Sequence, residues 1–155
     1  RGVAFPEIKE DINLQYGKGQ ILKEGSKDGN NAGGNVAIIA VGSMVEETYK
    51  AIDMLEKENV HPAFVNPVFI KPMDTELIKR VAENHKHIIV VEEGIKKGGF
   101  GESVETFILE SGIDADVQVM AIDDRFVEQG NVALLREEIG ISYKNIYEKV
   151  MELTR

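Results

Sequence analysis

Short apolar segments alternate with amphipathic segments over most of this chain, and that alternation limits the folds open to it. NVAIIAVG (35–42) and HIIVV (87–91) are apolar at nearly every position, which is typical of strands covered on both faces. Between and after them, apolar residues recur at helical spacing. Strands that alternate with helices favour a largely parallel sheet with helices on both faces.

Five strands are predicted. The first lies within GKGQILKEG and is separated from the second by a polar loop rich in Gly and Asn. Because no helix lies between these two strands, we expect the first to pair antiparallel, as a hairpin or on an edge of the sheet. The sequence therefore predicts a three-layer α/β/α fold with a five-stranded, mostly parallel sheet and one antiparallel strand. The predicted strands are residues 17–25, 35–42, 61–65, 87–93 and 117–122, and the polar loop is 26–35.

Capping residues mark the predicted helices. Ser43 and Glu46 match a capping box at the start of the first helix, and Asp74 is a good N-cap for the second. Gly112 is suited to ending the third helix, and Ser142 to opening the last one. The residues expected to face the sheet are Val45, Tyr49, Ile52 and Leu55 in the first helix, and Leu77, Ile78, Val81 and Ala82 in the second.

Composition excludes several classes of protein. The chain has 155 residues and no cysteine, so disulfide frameworks and zinc–thiolate sites are ruled out. Its net charge of −9 disfavours nucleic-acid binding. No apolar run approaches the ~18 residues of a membrane helix and no signal peptide is evident, so we expect a cytoplasmic protein without membrane contact. Residues 1–16 are predicted to be an interdomain linker and 17–155 one domain; a start at Arg1 suggests a fragment of a longer polypeptide.

The glycine cluster GGFG (98–101) lies between a strand and a helix. Free N–H groups at a helix N-terminus attract anions, so one hypothesis is a phosphate site. The cluster lacks the spacing of the dinucleotide and P-loop motifs. The alternative is a tight turn that allows close packing.

Glu92 and Glu93 end a predicted strand, at the sheet edge where open α/β folds bind ligands. Adjacent strand residues point to opposite faces, so they are not expected to form an acid–base pair. One could line a cleft while the other forms a structural salt bridge.

Other polar residues carry weaker hypotheses. Lys71 could contact an anion or be solvated. The segment DDRFVEQG (123–130) could hold local ion pairs of little energetic weight. His61, His85 and His87 make a poor metal set. We expect no catalytic, cofactor-binding or metal-binding residue in this chain.

Five motifs, in order, carry a resemblance to a known family: GKGQILKEG, VAIIAVGSMVEET, FIKPMD, VVEEGIKKGGFGESV and DRFVEQG. Over residues 17–155 they resemble the transketolase C-terminal domain superfamily. Within it, Asn66 to Ile70 and Asp124 to Gly130 are most similar to the 1-deoxy-D-xylulose-5-phosphate synthase family. A pyruvate or 2-oxoacid dehydrogenase β-subunit, or a transketolase, is the alternative, and a free-standing anion-binding module is another.

The resemblance implies a role within a larger enzyme. Members of that synthase family join pyruvate to D-glyceraldehyde 3-phosphate with loss of carbon dioxide, supplying isoprenoid, thiamine and pyridoxal synthesis. It implies that thiamine diphosphate and magnesium are bound by the N-terminal and middle domains, which this chain lacks. It further implies that this domain supports a homodimer, closes one side of the substrate site and is inactive alone.

One site residue is implied by the resemblance. Family members carry a Pro-Arg-Gly arginine just before this domain, which binds the substrate phosphate. Arg1, followed by Gly2, stands at about the matching position. An arginine suits this role because its guanidinium can clamp phosphate oxygens in a bidentate manner.

Overall fold

The computed structural model describes residues 14–26 and 33–155. In this part of the chain five strands form one sheet in the order β1–β3–β2–β4–β5. β2 is parallel to β3 and β4, and β4 is parallel to β5, whereas β1 is antiparallel to β3. The predicted five-stranded, mostly parallel sheet is confirmed. The strands are β1 Gln20–Glu24, β2 Val36–Ala40, β3 Ala63–Asn66, β4 His87–Ile95 and β5 Asp116–Ile122.

β1 lies on an edge of the sheet, as one of the two predicted arrangements required, and it does not form a hairpin with β2. The central strand β2 already has β3 on one side and β4 on the other, so β1 occupies the free side of β3. β3 begins at Ala63, two residues later than predicted. Pro62 precedes it and has no N–H to donate to a ladder.

Helices cover both faces of the sheet, which confirms the three-layer prediction. Alternate residues of a strand point to opposite faces: Ile38 packs in the cluster that contains α1 and α5, and Ile39 in the cluster that contains α2 and α3. Both side chains are fully buried. The helices are α1 Met44–Lys57, α2 Thr75–Asn84, α3 Phe100–Glu110, α4 Val132–Glu138 and α5 Tyr143–Leu153. None of the helices in the described residues has the length and apolar character needed to cross a membrane.

Three of the four predicted helix caps are confirmed. Gly112 follows the C-cap of α3 with a φ of 67°. The Asp74 carboxylate accepts from the Leu77 N–H, and Ser142 forms a capping box with Asn145. The four residues predicted to face the sheet from α2 are its buried residues.

The capping box predicted for α1 is wrong. Ser43 stands at the N-cap position, but its side chain makes no capping bond and donates instead to Glu93. The buried stripe is also rotated from the prediction. Ile52 and Leu55 are buried as expected, whereas Tyr49 is 40% exposed and only rests edge-on against the ring of Phe64.

Candidate functional site

The four parallel strands end at one edge of the sheet, and the loops that follow them define the candidate site. This carboxyl edge carries loop residues 41–43, 67–74, 96–99 and 123–131. In open α/β folds, ligands bind at this edge. The chemistry available here depends on which polar groups of these loops are already paired.

Glu92 takes the helix N-terminus that the GGFG cluster creates. Its carboxylate is buried and accepts from the N–H of Phe100 at 3.0 Å and of Gly101 at 2.8 Å. A carboxylate is well suited to this position because the first N–H groups of a helix lack partners and the helix dipole is positive there. α3 therefore begins at Phe100.

The glycines of this cluster are needed for close approach. A Cβ at Gly101 would overlap the Cγ1 methyl group of Val119, and one at Gly99 would lie 2.6 Å from the Ile95 carbonyl oxygen and from Glu92 Oε1. The tight-turn interpretation therefore accounts for GGFG. The anion that its N–H groups attract is supplied by the chain itself.

Glu93 points to the opposite face, where it meets α4. The guanidinium of Arg136 donates to both of its carboxylate oxygens, at 2.9 and 2.8 Å, and the Ser43 hydroxyl donates as well. These bonds, with that to Arg136 foremost, hold the pKa of Glu93 below its ordinary value against the opposing effect of burial. Glu93 thus forms the structural salt bridge and Glu92 caps the helix α3, so neither side chain is free to line a cleft.

Glu47 and Arg136 complete this network, and the sequence analysis missed both. Glu47 accepts from the Tyr143 N–H at 3.0 Å and lies 3.5 Å from Arg136 and 3.0 Å from Lys50. It joins α1 to α4 and to the start of α5. A signal for Glu47 was available, because it falls on the apolar stripe of α1 between Met44 and Ala51. No pattern in the sequence marks Arg136.

The loop 67–74 is anchored at its far end and exposed in its middle. Asp74 accepts from the Gly19 N–H at 3.1 Å and lies 3.4 Å from the Lys18 ammonium. Burial raises the pKa of Asp74, but the donors from Gly19, Leu77 and Lys18 together outweigh it and leave that pKa below its ordinary value. Lys71 is exposed and is solvated in the described structure, with no ion pair to residues 14–26 or 33–155.

The segment 123–130 is exposed at every residue. The local ion pairs predicted for Asp123, Asp124 and Arg125 do not form within the described ranges. The aromatic ring of Phe126 is fully exposed. This loop therefore forms an exposed surface at the carboxyl edge.

The three histidines are half-buried and make local contacts. His85 Nδ1 lies 2.8 Å from the Val81 carbonyl oxygen, His87 Nδ1 lies 3.2 Å from Asp116, and His61 lies 3.2 Å from Asn59. Arg1 falls outside the described residues, as do 2–13 of the predicted linker and most of the loop 26–35.

The described residues do not fit a diphosphate cofactor with its metal. They contain no group of three or more His, Asp or Glu side chains that could hold a metal ion. The N–H groups at the start of α3, after the GGFG cluster, are already bound by Glu92. The carboxyl edge is thus a set of internally paired carboxylates framed by two exposed loops.

Comparisons with known proteins agree with this architecture. Residues 21–146 match the family model described as "Transketolase, C-terminal domain". The chain is similar to proteins named 1-deoxy-D-xylulose-5-phosphate synthase: it is 37% identical over 143 residues to one from Dehalococcoides mccartyi, covering 91% of this chain and 21% of that protein. One from Alkaliphilus oremlandii is 37% identical over 151 residues, covering 97% and 23%.

A solved structure extends the likeness to three dimensions. The chain superposes with a TM-score of 0.81 and 28% identity on "Split gene transketolase, inactive beta4 tetramer", covering 97% of this chain and 48% of that one. The chain spans only about a fifth of the length of the curated relatives it matches. The family model, the relatives and the fold agree, and the chain belongs to the transketolase C-terminal domain family, in the form found in proteins like 1-deoxy-D-xylulose-5-phosphate synthase.

Proposed function

We propose that this chain is the C-terminal domain of a 1-deoxy-D-xylulose-5-phosphate synthase, and that it completes a reaction centre held mainly by other domains. The whole enzyme would condense pyruvate with D-glyceraldehyde 3-phosphate in the cytoplasm, with thiamine diphosphate and magnesium bound by the N-terminal and middle domains. The observation that carries the proposal is the state of the carboxyl edge. Its carboxylates Glu92 and Glu93 pair with groups of this same domain, while residues 70–72 and 123–130 of its loops are exposed.

This arrangement suits packing and closure better than chemistry. A general acid, base or nucleophile has to reach the reacting atoms, but Glu92 and Glu93 are both engaged with neighbouring elements. Exposed loops on a rigid sheet can cover a site formed by another domain and exclude water from it. The domain would therefore close one side of the substrate site and support the dimer.

Arg1 is the residue proposed to touch substrate. Its guanidinium would clamp the phosphate of D-glyceraldehyde 3-phosphate in a bidentate manner. The proposal for Arg1 rests on the resemblance of the Arg1–Gly2 pair to the family motif.

The split-gene transketolase supports a dependence on other domains. That protein is described as an inactive tetramer of one type of chain. The matched domain makes up about half of that chain, so a polypeptide can contain this domain and still be inactive in that assembly.

The proposal is tested by domain replacement. In the synthase of D. mccartyi, the C-terminal residues that match would be exchanged for this chain, and carbon dioxide release from pyruvate would be measured with D-glyceraldehyde 3-phosphate, thiamine diphosphate and magnesium. We expect the chimera to turn over, and the same enzyme with these residues deleted to be inactive. A chimera that folds as a dimer, yet shows the deletion's activity, would contradict the proposal.

A further inference from the structure

An exposed apolar surface lies at the carboxyl end of the edge strand β5. It consists of Ile95, Phe126, Val127, Val132 and Leu134, and we call it the β5-end surface. Phe126 is fully exposed, Leu134 is 68% exposed and Val132 56%. Ile95 lies at the same end of the sheet, because it pairs with Ile122, the last residue of β5. Large exposed apolar groups gathered in one region mark an interaction site more often than isolated ones do.

The helix within this surface lacks the cover that a helix of its length needs. α4 has seven residues and none of them is buried. Isolated helices this short are unstable in water and depend on packing for their stability. α4 is held by polar contacts, namely those of Arg136 with Glu93 and Glu47, the Glu137–Lys144 ion pair and the Asn131 cap. Its Val132 and Leu134 side chains face outward.

β5 extends the same uncovered side. It is an edge strand of seven residues, and only Ala121 in it is buried. Val117 and Val119 belong to the margin of one core cluster, and Met120 and Ile122 to the margin of the other. Both layers of the core therefore reach the surface along this edge. Long apolar edges of this kind are normally covered in the working protein.

We propose that the β5-end surface docks onto the remaining part of the synthase, on a patch that is apolar at its centre and rimmed by lysine or arginine. This inference rests on the proposed function. About four-fifths of the length of the curated relatives lies outside the matched region, so a partner of sufficient size exists in such an enzyme.

Charge selects this occupant over a second copy of the chain. Residues 123–138 carry five carboxylates and two guanidinium groups. Arg136 is bound to Glu93 and Glu137 to Lys144, and setting these two pairs aside leaves four carboxylates and one guanidinium group in the segment. Two such surfaces facing each other would bring like charges together, which opposes association. A basic rim would complement them and would fix the orientation of docking.

Hydrogen exchange tests this assignment. Exchange of the amides of residues 126–135 would be followed by mass spectrometry in the isolated chain and in the D. mccartyi chimera. We expect exchange to be slower by about tenfold or more in the chimera, because packing removes local opening of α4. Phe126→Ser combined with Leu134→Ser should abolish that protection. Leu109→Ser is the matched control, since Leu109 is 77% exposed at the far end of α3 and should leave the protection intact.

Three results would overturn the proposal. The first is exchange at similar rates in both proteins, and the second is protection that survives the double substitution. The third is protection that is already present in the isolated chain when that chain also has the mass of a dimer, because this would assign the surface to a second copy. Activity of the chimera is a separate readout. An active chimera with an unprotected α4 would rule out the docking proposal and support the proposed function. A protected but inactive chimera would support the docking proposal and contradict the proposed function.

Discussion

Among single residues, Glu92 and the glycines near it show how a loop with the features of an anion site instead fixes the start of a helix against the sheet. The buried carboxylate lies between the N–H groups of Phe100 and Gly101. Two glycines allow α3 to approach β4 and β5 more closely than any side chain would permit. The bonds from Glu92 and the close packing at the glycines fix the start of α3 against the edge of the sheet beside it.

Substitution of Glu92 should be costly. Glu92→Gln removes the charge and turns an amide group toward N–H donors, so we expect a loss of about 2 kcal/mol in the free energy of unfolding. The measurement is urea denaturation followed by circular dichroism. Glu105→Gln, an exposed position on the same helix, should change that free energy by less than about 0.5 kcal/mol. Equal effects at the two positions would contradict the role given to Glu92.

Gly101→Ala tests the close approach. The new methyl group would meet Val119, and overpacking of this kind costs about 1–3 kcal/mol, which exceeds the helix propensity that alanine gains. Gly130→Ala is the matched control, because its methyl group would have ordinary contacts of 3.6 Å or more with Leu135. A stability of Gly101→Ala equal to or above that of the parent chain would show that the contact can relax.

The sequence allowed part of this to be foreseen. The position of GGFG between strand and helix left a tight turn and an anion site as the two interpretations, and the period of the strand predicted that Glu92 and Glu93 face opposite ways. Which glutamate caps and which pairs could not be predicted, because the partners Phe100 and Arg136 come from elements whose relative placement depends on the whole sheet. Ser43 is a similar case: the local capping box lost to a long-range bond with Glu93.

At the scale of elements, α4 depends on one ionic contact with the sheet. Glu93 receives two bonds from Arg136, while Glu47 holds the same guanidinium from α1 and also accepts from the start of α5. α1, β4, α4 and α5 are joined in this way at the carboxyl edge. The strand order and helix layers followed from apolar periodicity, whereas this polar link did not, since charge has no period that reveals its partner.

This link should make stability depend on pH. The folded-state pKa of Glu93 lies below its value in the unfolded chain, so its contribution is present above the ordinary glutamate pKa of about 4.3 and is lost as the pH falls through the folded value. Glu93→Gln should therefore lower the free energy of unfolding at pH 7 by about 1 kcal/mol, a figure reduced for solvent screening, and by less at pH 3.

Urea titrations at several pH values give this comparison. Glu138→Gln, an exposed position of α4, should give a small difference that does not change with pH. A difference between the parent chain and Glu93→Gln that stays constant from pH 3 to pH 7 would rule out the ionic role.

At the scale of the whole molecule, the domain has a well-covered core and one side that is not covered. The central strands β2 and β3 are almost wholly buried, whereas β5, the loop 123–131 and α4 leave apolar groups in contact with solvent. The fold was predictable because buried strands and amphipathic helices have distinct periods. The uncovered side could not be predicted, because in a sequence an apolar residue that is exposed looks the same as one that belongs to the core.

The central claim is that this domain completes a reaction centre without containing one. Its most direct test is carbon dioxide release from pyruvate by the purified 155-residue chain, supplied with D-glyceraldehyde 3-phosphate, thiamine diphosphate and magnesium, beside the D. mccartyi chimera under the same conditions. The account predicts turnover by the chimera and a rate equal to the protein-free background for the chain alone. Turnover by the chain alone would contradict it.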